Sequence, residues 1–220
     1  MQDYRINESY KQLRTNIEFS GEENKIIAIT SCAPSEGKST VSLSTAYSLA
    51  EAGKKVLFID ADLRKSVLAG RYKVTGEMKG LTHFLSGQGD LSEILCKTNE
   101  KGLFVIFAGP VPPNPAELLG SKKFAALLKE ARNIYDYIII DTPPLGSVID
   151  SAIVSAACDA AILVISANTV SYKFARSVKD QLTKTGCNIL GVVLNKVSMK
   201  QNKYYGKYYG KYYGHYGSDN

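Results

Sequence analysis

The stretch ITSCAPSEGKST, residues 29 to 40, holds the densest group of side chains capable of chemistry on a phosphate. An apolar run, KIIAITS, feeds into it, and STVSLSTAYSLAEAG leads out with a helical pattern, which is the setting a phosphate-binding loop requires. Backbone N–H groups of Ser35, Glu36 and Gly37, with the start of the following helix, would present partial positive charge to phosphate oxygens. Lys38 adds a full charge near the β and γ phosphates, Ser39 can ligate Mg²⁺, and Thr40 can donate to the α phosphate. Cys32 stands where the first glycine of G-x-x-x-x-G-K-[ST] is usual, so the match is incomplete.

Two further stretches supply carboxylates. VLFIDADLR places Asp60 and Asp62 two apart at the end of one apolar run, and IIIDTPP places Asp141 at the end of another. Residues two apart on a strand share a face, so Asp60 and Asp62 can address one metal and one substrate together. A single strand-end aspartate often only caps the next helix. Three at equivalent edges beside a phosphate loop suit a different role, with Ser39, Asp62 and Asp141 holding Mg²⁺ and Asp60 left for the acceptor.

These residues need a scaffold that brings strand ends together. Apolar runs bounded by turn signals occur at 25 to 31, 54 to 62, 103 to 109, 135 to 144, 160 to 166 and 188 to 195. Their hydrophobicity is continuous rather than alternating, which predicts strands covered on both faces. Helical patterns at 39 to 52, 115 to 132, 148 to 157 and 170 to 186 supply the covers. The fold class is therefore α/β: a mostly parallel sheet with helices on both faces, whose carboxyl edge collects ligands. Residues 75 to 97 read as a helix and turn insertion. Residues 6 to 19 read as an amphipathic helix with Ile6, Tyr10, Leu13 and Ile17 on one stripe.

With 220 residues, the chain suits one domain and a tail. The predicted division is a helix in 1 to 20, a catalytic domain in 21 to 198 and an unstructured tail in 199 to 220. Cys32, Cys96, Cys158 and Cys187 are widely separated with no C-x-x-C pair, so neither a zinc site nor a disulfide framework is suggested, and reduced thiols fit a cytoplasmic protein. The first twenty residues lack an apolar signal core, and no run approaches the roughly 18 apolar residues that span a bilayer.

Much of the net charge of +6 is carried by the last stretch, where Lys196, Lys200, Lys203, Lys207 and Lys211 stand against Asp219 alone, around the sequence KYYGKYYGKYYGHYG. Gly206, Gly210 and Gly214 disfavour a helix, and the paired rings lack the apolar neighbours of a strand. That leaves an arm carrying Tyr204, Tyr205, Tyr208, Tyr209, Tyr212, Tyr213 and Tyr216.

Read together in this order, the loop, FIDADLR, IIIDTPP and the tyrosine arm resemble the bacterial tyrosine kinases, the BY-kinase family of capsule and exopolysaccharide synthesis. FIDADLR resembles the family's Walker A′ motif and IIIDTPP its Walker B motif, while AGPVPPNPAELLGS, residues 108 to 121, resembles another characteristic stretch. The resemblance implies a P-loop enzyme using ATP and Mg²⁺ to phosphorylate its own terminal tyrosines between neighbouring subunits of a ring. It assigns nucleotide and metal binding to Lys38, Ser39 and Thr40, the tyrosine hydroxyl to Asp60, and the metal to Asp62 and Asp141. Arg64 completes the Walker A′ match. Glu8, Lys11 and Arg14 resemble the oligomerisation motif E-x-x-R-x-x-R, with lysine lacking the planar fork of the first arginine. The family further implies a membrane adaptor whose cytoplasmic end activates the kinase. Asn195, after the last strand, matches the place of an adenine-reading amide in related P-loop ATPases.

Two alternatives stand beside this. A MinD- or ParA-like ATPase shares the sheet and the GKST loop, but its signature lysine is replaced by Ala33, and its glycines by Pro34 and Ser35. A nucleic-acid or polymer-binding protein could use the Tyr and Lys arm for stacking, yet the three acidic strand ends would then lack a role, so no nucleic acid is expected.

Overall fold

The computed structural model describes residues 2 to 71 and 79 to 197. The expected tyrosine arm lies outside the described residues. In chain order the first half comprises α1 (Gln2–Glu18), β1 (Ile26–Ser31), α2 (Lys38–Glu51), β2 (Val56–Asp60), α3 (Leu68–Arg71), α4 (Leu81–Leu85), α5 (Leu91–Ile94) and β3 (Leu95–Lys97). The second comprises β4 (Leu103–Ile106), α6 (Pro115–Leu119), α7 (Lys122–Arg132), β5 (Tyr137–Asp141), α8 (Asp150–Ser155), β6 (Ala160–Ser166), α9 (Tyr172–Thr183) and β7 (Asn188–Asn195).

The strands form one sheet in the order β3-β4-β2-β5-β1-β6-β7. All neighbours are parallel except β3, which pairs antiparallel with β4 at the edge. Every residue of β1 and β2 is buried, as their uninterrupted apolar runs require. On one face Ile27, Ile29, Phe58 and Ile139 pack against Val41, Ala46 and Leu49 of α2 and Ile17 of α1. On the other, Leu57, Ile59, Ile138 and Ile140 meet Phe124, Leu128, Val154, Val178 and Leu182 of the later helices. Those two apolar layers fix the sheet, and with it the height at which each strand ends.

Four details depart from the expectations. The segment 115 to 132 is two helices, because Ser121 restarts the chain as the cap of α7, its hydroxyl accepting from the Phe124 N–H at 3.2 Å. The insertion contains the edge strand β3 as well as helical turns. β7 is not covered on both faces: as an edge strand paired, among the described residues, only with β6, it leaves Val192 and Leu194 exposed. Helix α1 begins earlier than the stripe suggests, and only its second half is seated, with Ile17 buried while Ile6 stays exposed.

Candidate active site

The register that pairs Ile29 with Asp141, and Asp60 with Asp141, sets β1, β2 and β5 side by side, so their carboxyl ends open on one place. The loop between β1 and α2 closes over it. Gly37 caps α2 at φ 89, in left-handed territory, and a Cβ there would lie 2.3 Å from Asn195 Nδ2, so only glycine suits both conformation and space. At the loop's start, Cys32 is fully buried, and burial raises its thiol to about 11. It behaves as a small core side chain. The close approach falls to Gly146, where a Cβ would meet the Cys32 carbonyl at 2.2 Å.

Lys38 opens α2 and turns its amine into a buried acidic setting. Its Nζ lies 3.1 Å from Asp62 Oδ2, 3.4 Å from both oxygens of Asp141 and 3.1 Å from Ser39 Oγ. Burial works against the lysine's charge, but Asp141 and Asp62 outweigh it and its pKa is raised. Burial likewise raises Asp141, opposed by Lys38 and by hydrogen bonds from Ser39 and Ser42; the Ser42 hydroxyl donates at 3.0 Å. Asp60 is fully buried, accepts from the Asp62 N–H at 3.2 Å and from the Ser66 hydroxyl, and is pushed up to about 7 by burial and by Asp141. The single charge of Lys38 is therefore shared between two carboxylates, while the third is poised to hold a proton.

The donor set suits a divalent ion that arrives with its ligand. Among the described residues no group of three or more His, Cys, Asp or Glu side chains could hold a metal. Mg²⁺ needs no such cage, being bound by one or two carboxylates together with phosphate oxygens and waters. Ser39, Asp62 and Asp141 could supply the protein share.

Several supporting residues carry no sequence signal. Thr30 donates to the Pro143 carbonyl at 2.9 Å and receives the Leu145 N–H at 3.2 Å, Thr142 donates to the Ile29 carbonyl at 2.9 Å, and Ser151 also donates to Pro143. Together they hold the turn that follows Asp141. Arg64 forms a two-pronged pair with the fully buried Asp150, at 2.7 and 2.9 Å, fastening the loop after β2 to the start of α8. The Lys65 N–H to Asp62 Oδ1, at 3.1 Å, fixes the other carboxylate oxygen of Asp62.

The remaining sequence candidates divide. Glu36 is buried, and its side chain is spent within the fold, accepting from the N–H groups of Ala33 at 2.7 Å and Ser166 at 3.0 Å. Asn195 reaches the loop, donating to the Glu36 carbonyl at 2.9 Å and accepting from the Lys196 N–H at 2.8 Å, so its amide is engaged with backbone. Thr40 follows Ser39 in the first turn of α2, exposed. Glu8 and Lys11 pair with each other at 2.7 Å on the solvent side of α1, whereas Arg14 turns inward and donates to the Ser48 carbonyl at 2.9 Å. A groove of about 840 Å³ bordered by Ile6, Tyr10, Tyr47, Phe58 and Phe107 includes none of Lys38, Asp60, Asp62 and Asp141 in its lining, as expected where the ligand cradle is an open backbone loop.

Comparison with known proteins decides what this constellation belongs to. The model of the AAA domain family matches residues 24 to 189. Tyrosine-protein kinase CpsD of Streptococcus agalactiae is 52% identical over 191 residues, covering 87% of this chain and 82% of that protein. The chain belongs to the bacterial tyrosine-protein kinases. Its fold agrees: the kinase domain of Escherichia coli tyrosine kinase ETK superposes with a TM-score of 0.84 at 35% identity, covering 90% of this chain and 78% of that one. A septum site-determining protein MinD from Pyrococcus horikoshii, complexed with Mg-ADP, reaches only 0.68 at 27% identity, covering 80% of this chain and 72% of that one. The kinase is thus an ATP-dependent protein-tyrosine kinase on a P-loop nucleotide-binding fold shared more distantly with MinD. No helix among its described residues is long and apolar enough to cross a membrane.

Proposed function

We propose that this kinase transfers the γ-phosphoryl group of ATP to the tyrosines of its own C-terminal cluster, Tyr204 through Tyr216, on a neighbouring subunit. The observation that carries the reading is the convergence of Lys38 on Asp62 and Asp141 at the start of α2. Phosphate oxygens entering the loop would compete for the lysine, leaving Asp62, Asp141 and Ser39 as the residues that would hold Mg²⁺. The ion would supply charge neutralisation for the β and γ phosphates. Backbone N–H groups at Ser35 to Thr40 and the N-terminal end of α2 would hold the same phosphates.

Asp60 then receives the acceptor. A phenol with a pKa near 10 is a weak nucleophile at neutral pH, so a carboxylate serves to orient it and take its proton late. An acid raised to about 7 is matched to that work. Asp60 is covered by Ser66, so the segment after β2 must give way before a tyrosine reaches it. Because β7 ends at Asn195 beside the loop, the segment leading to the cluster leaves the sheet at the rim of the site.

The acidic pocket and the lysine-rich arm complement each other before the reaction. Each phosphorylated tyrosine adds roughly −1.5 to −2 charges, which reverses the arm's sign and favours its release. A ring-shaped homo-oligomer would place one subunit's arm at the next subunit's site, with Glu8, Lys11 and Arg14 at the contact. A membrane adaptor would recruit this cytoplasmic kinase to the inner face of the cell membrane, where the cycle would regulate capsule or exopolysaccharide synthesis and export.

A mixing experiment tests the transfer between chains. A Lys38→Met chain that keeps its arm, incubated with ATP, Mg²⁺ and an active chain ending at residue 198, is expected to acquire phosphotyrosine in the cluster. An unlabelled arm there, alongside a wild-type chain that labels itself, would exclude transfer between subunits.

A further inference from the structure

We infer that Lys196 is a positioning residue for the nucleotide loop: its amine holds Ser35 in a left-handed conformation that the loop needs. The inference rests on residues 32 to 40 being that loop. Three non-glycine residues among those described have positive φ: Ser35 at 64, Asn168 at 60 and Lys196 at 55. Two of the three touch each other, because Lys196 Nζ donates to the Ser35 carbonyl at 2.7 Å. A left-handed conformation strains any residue with a Cβ, and here the strained loop residue is held by a strained partner 161 positions away in the chain.

The neighbouring bonds show that the tie belongs to a larger clamp. Asn195 Nδ2 donates to the Glu36 carbonyl at 2.9 Å, and its Oδ1 accepts from the Lys196 N–H at 2.8 Å, which fixes the amide's orientation. Glu36 Oε1 accepts from the Ser166 N–H at 3.0 Å, and Glu36 Oε2 from the Ala33 N–H at 2.7 Å. The Ala167 N–H in turn bonds the Asn195 carbonyl at 2.8 Å. Consecutive loop residues Ser35 and Glu36, which precede Gly37, are thereby pinned to the ends of β6 and β7. Gly37 takes its positive φ at no steric cost. Ser35 does not, and Lys196 is the one cation bonded to it among the described residues.

The clamp acts on the loop's shape, not on the reacting atoms. Removing the amine leaves Ser35 free to relax toward ordinary backbone angles, and the nucleotide must then restore the loop at the expense of its own affinity. The effect therefore falls on binding more than on turnover. It also has a specific remedy: glycine at position 35 adopts the left-handed conformation without help.

Calorimetric titration of the full-length chain with MgADP tests this. Lys196→Met is expected to weaken MgADP by about 3- to 10-fold, the scale set by a left-handed residue losing its support. Lys196→Arg, which keeps a cationic donor, should stay within about twofold of wild type. Ser35→Gly placed in the Lys196→Met chain should recover the lost affinity, and KM for ATP should move more than kcat. Unchanged MgADP affinity in Lys196→Met overturns the inference. So does a loss that neither arginine at 196 nor glycine at 35 repairs, because that pattern marks general damage. A wild-type chain that binds no MgADP would instead overturn the nucleotide-loop reading, and this inference with it.

Discussion

The carboxyl edge of the sheet and helix α1 each hold a lysine within reach of a carboxylate, and the two pairs behave differently. Lys38 is buried between Asp62 and Asp141, and neither acid has another cation bonded to it among the described residues. Lys11 meets Glu8 one turn away, on a face open to water. In the first setting, removing one charge strands another in a medium that solvates it poorly. In the second, water replaces whichever partner is lost. Burial, more than ion-pair distance, separates a charge constellation that can do chemistry from one that decorates a helix.

The sharpest way to break that contrast is Lys38→Met. It should lower tyrosine phosphorylation by about 100-fold or more in single-turnover assays, since the group that meets phosphate charge is gone. Transfer within tenfold of wild type would remove Lys38 from the machinery. Next comes Asp150→Ala, which deletes the buried end of the pair that fastens the loop bearing Asp62. Allowing for the partly exposed guanidinium, about 1–3 kcal/mol should be lost in denaturant unfolding.

Asp60→Asn sharpens the comparison through pH. The folded chain holds the Asp60 proton up to about 7, whereas the unfolded chain releases it near pH 4. Folding therefore binds a proton in that interval, and the wild type loses this stability as pH rises through it. The substituted amide carries no such proton, so the variant should gain on wild type from pH 4 to 8, by as much as about 4 kcal/mol. Parallel stability curves would show that Asp60 titrates alike in the folded and unfolded chains, so that the fold does not hold its proton.

The smallest effects belong to α1. Arg14→Met should cost about 0.5–1.5 kcal/mol, because its guanidinium bonds the Ser48 carbonyl of α2. Lys11→Met should leave thermal unfolding unchanged. A drop as large as that of Arg14→Met would mean that the exposed pair is coupled to the fold.

Much of the site was legible because it lies at punctuation marks. Lys38 and Ser39 follow a glycine between a strand and a helix, and Asp60, Asp62 and Asp141 follow uninterrupted apolar runs. Parallel topology brings such ends together without further instruction. The supports were not legible. Ser42, Thr30 and Ser151 are ordinary small polar residues whose partners lie elsewhere in the fold, and the bond from Ser42 to Asp141 spans 99 positions. Arg64 is visible within its motif, yet nothing local announces Asp150, 86 positions on. Glu36 is legible as a ligand contact by its place in the loop and Asn195 by its place at the end of β7, while their side chains also build the loop that would make those contacts. The split between α6 and α7 was concealed by apolar residues that continue across Gly120 and Ser121. Edge position explains β7, since an apolar run does not reveal how many neighbours a strand will have.

The most direct test follows the fate of the γ-phosphate when the full-length wild-type chain consumes labelled ATP in the presence of Mg²⁺. The account expects label on Tyr204, Tyr205, Tyr208, Tyr209, Tyr212, Tyr213 or Tyr216, mapped by mass spectrometry, with early ATP consumption matched by phosphotyrosine formed. ATP consumed with all of its γ-phosphate recovered as inorganic phosphate and every one of those tyrosines unmodified would contradict it.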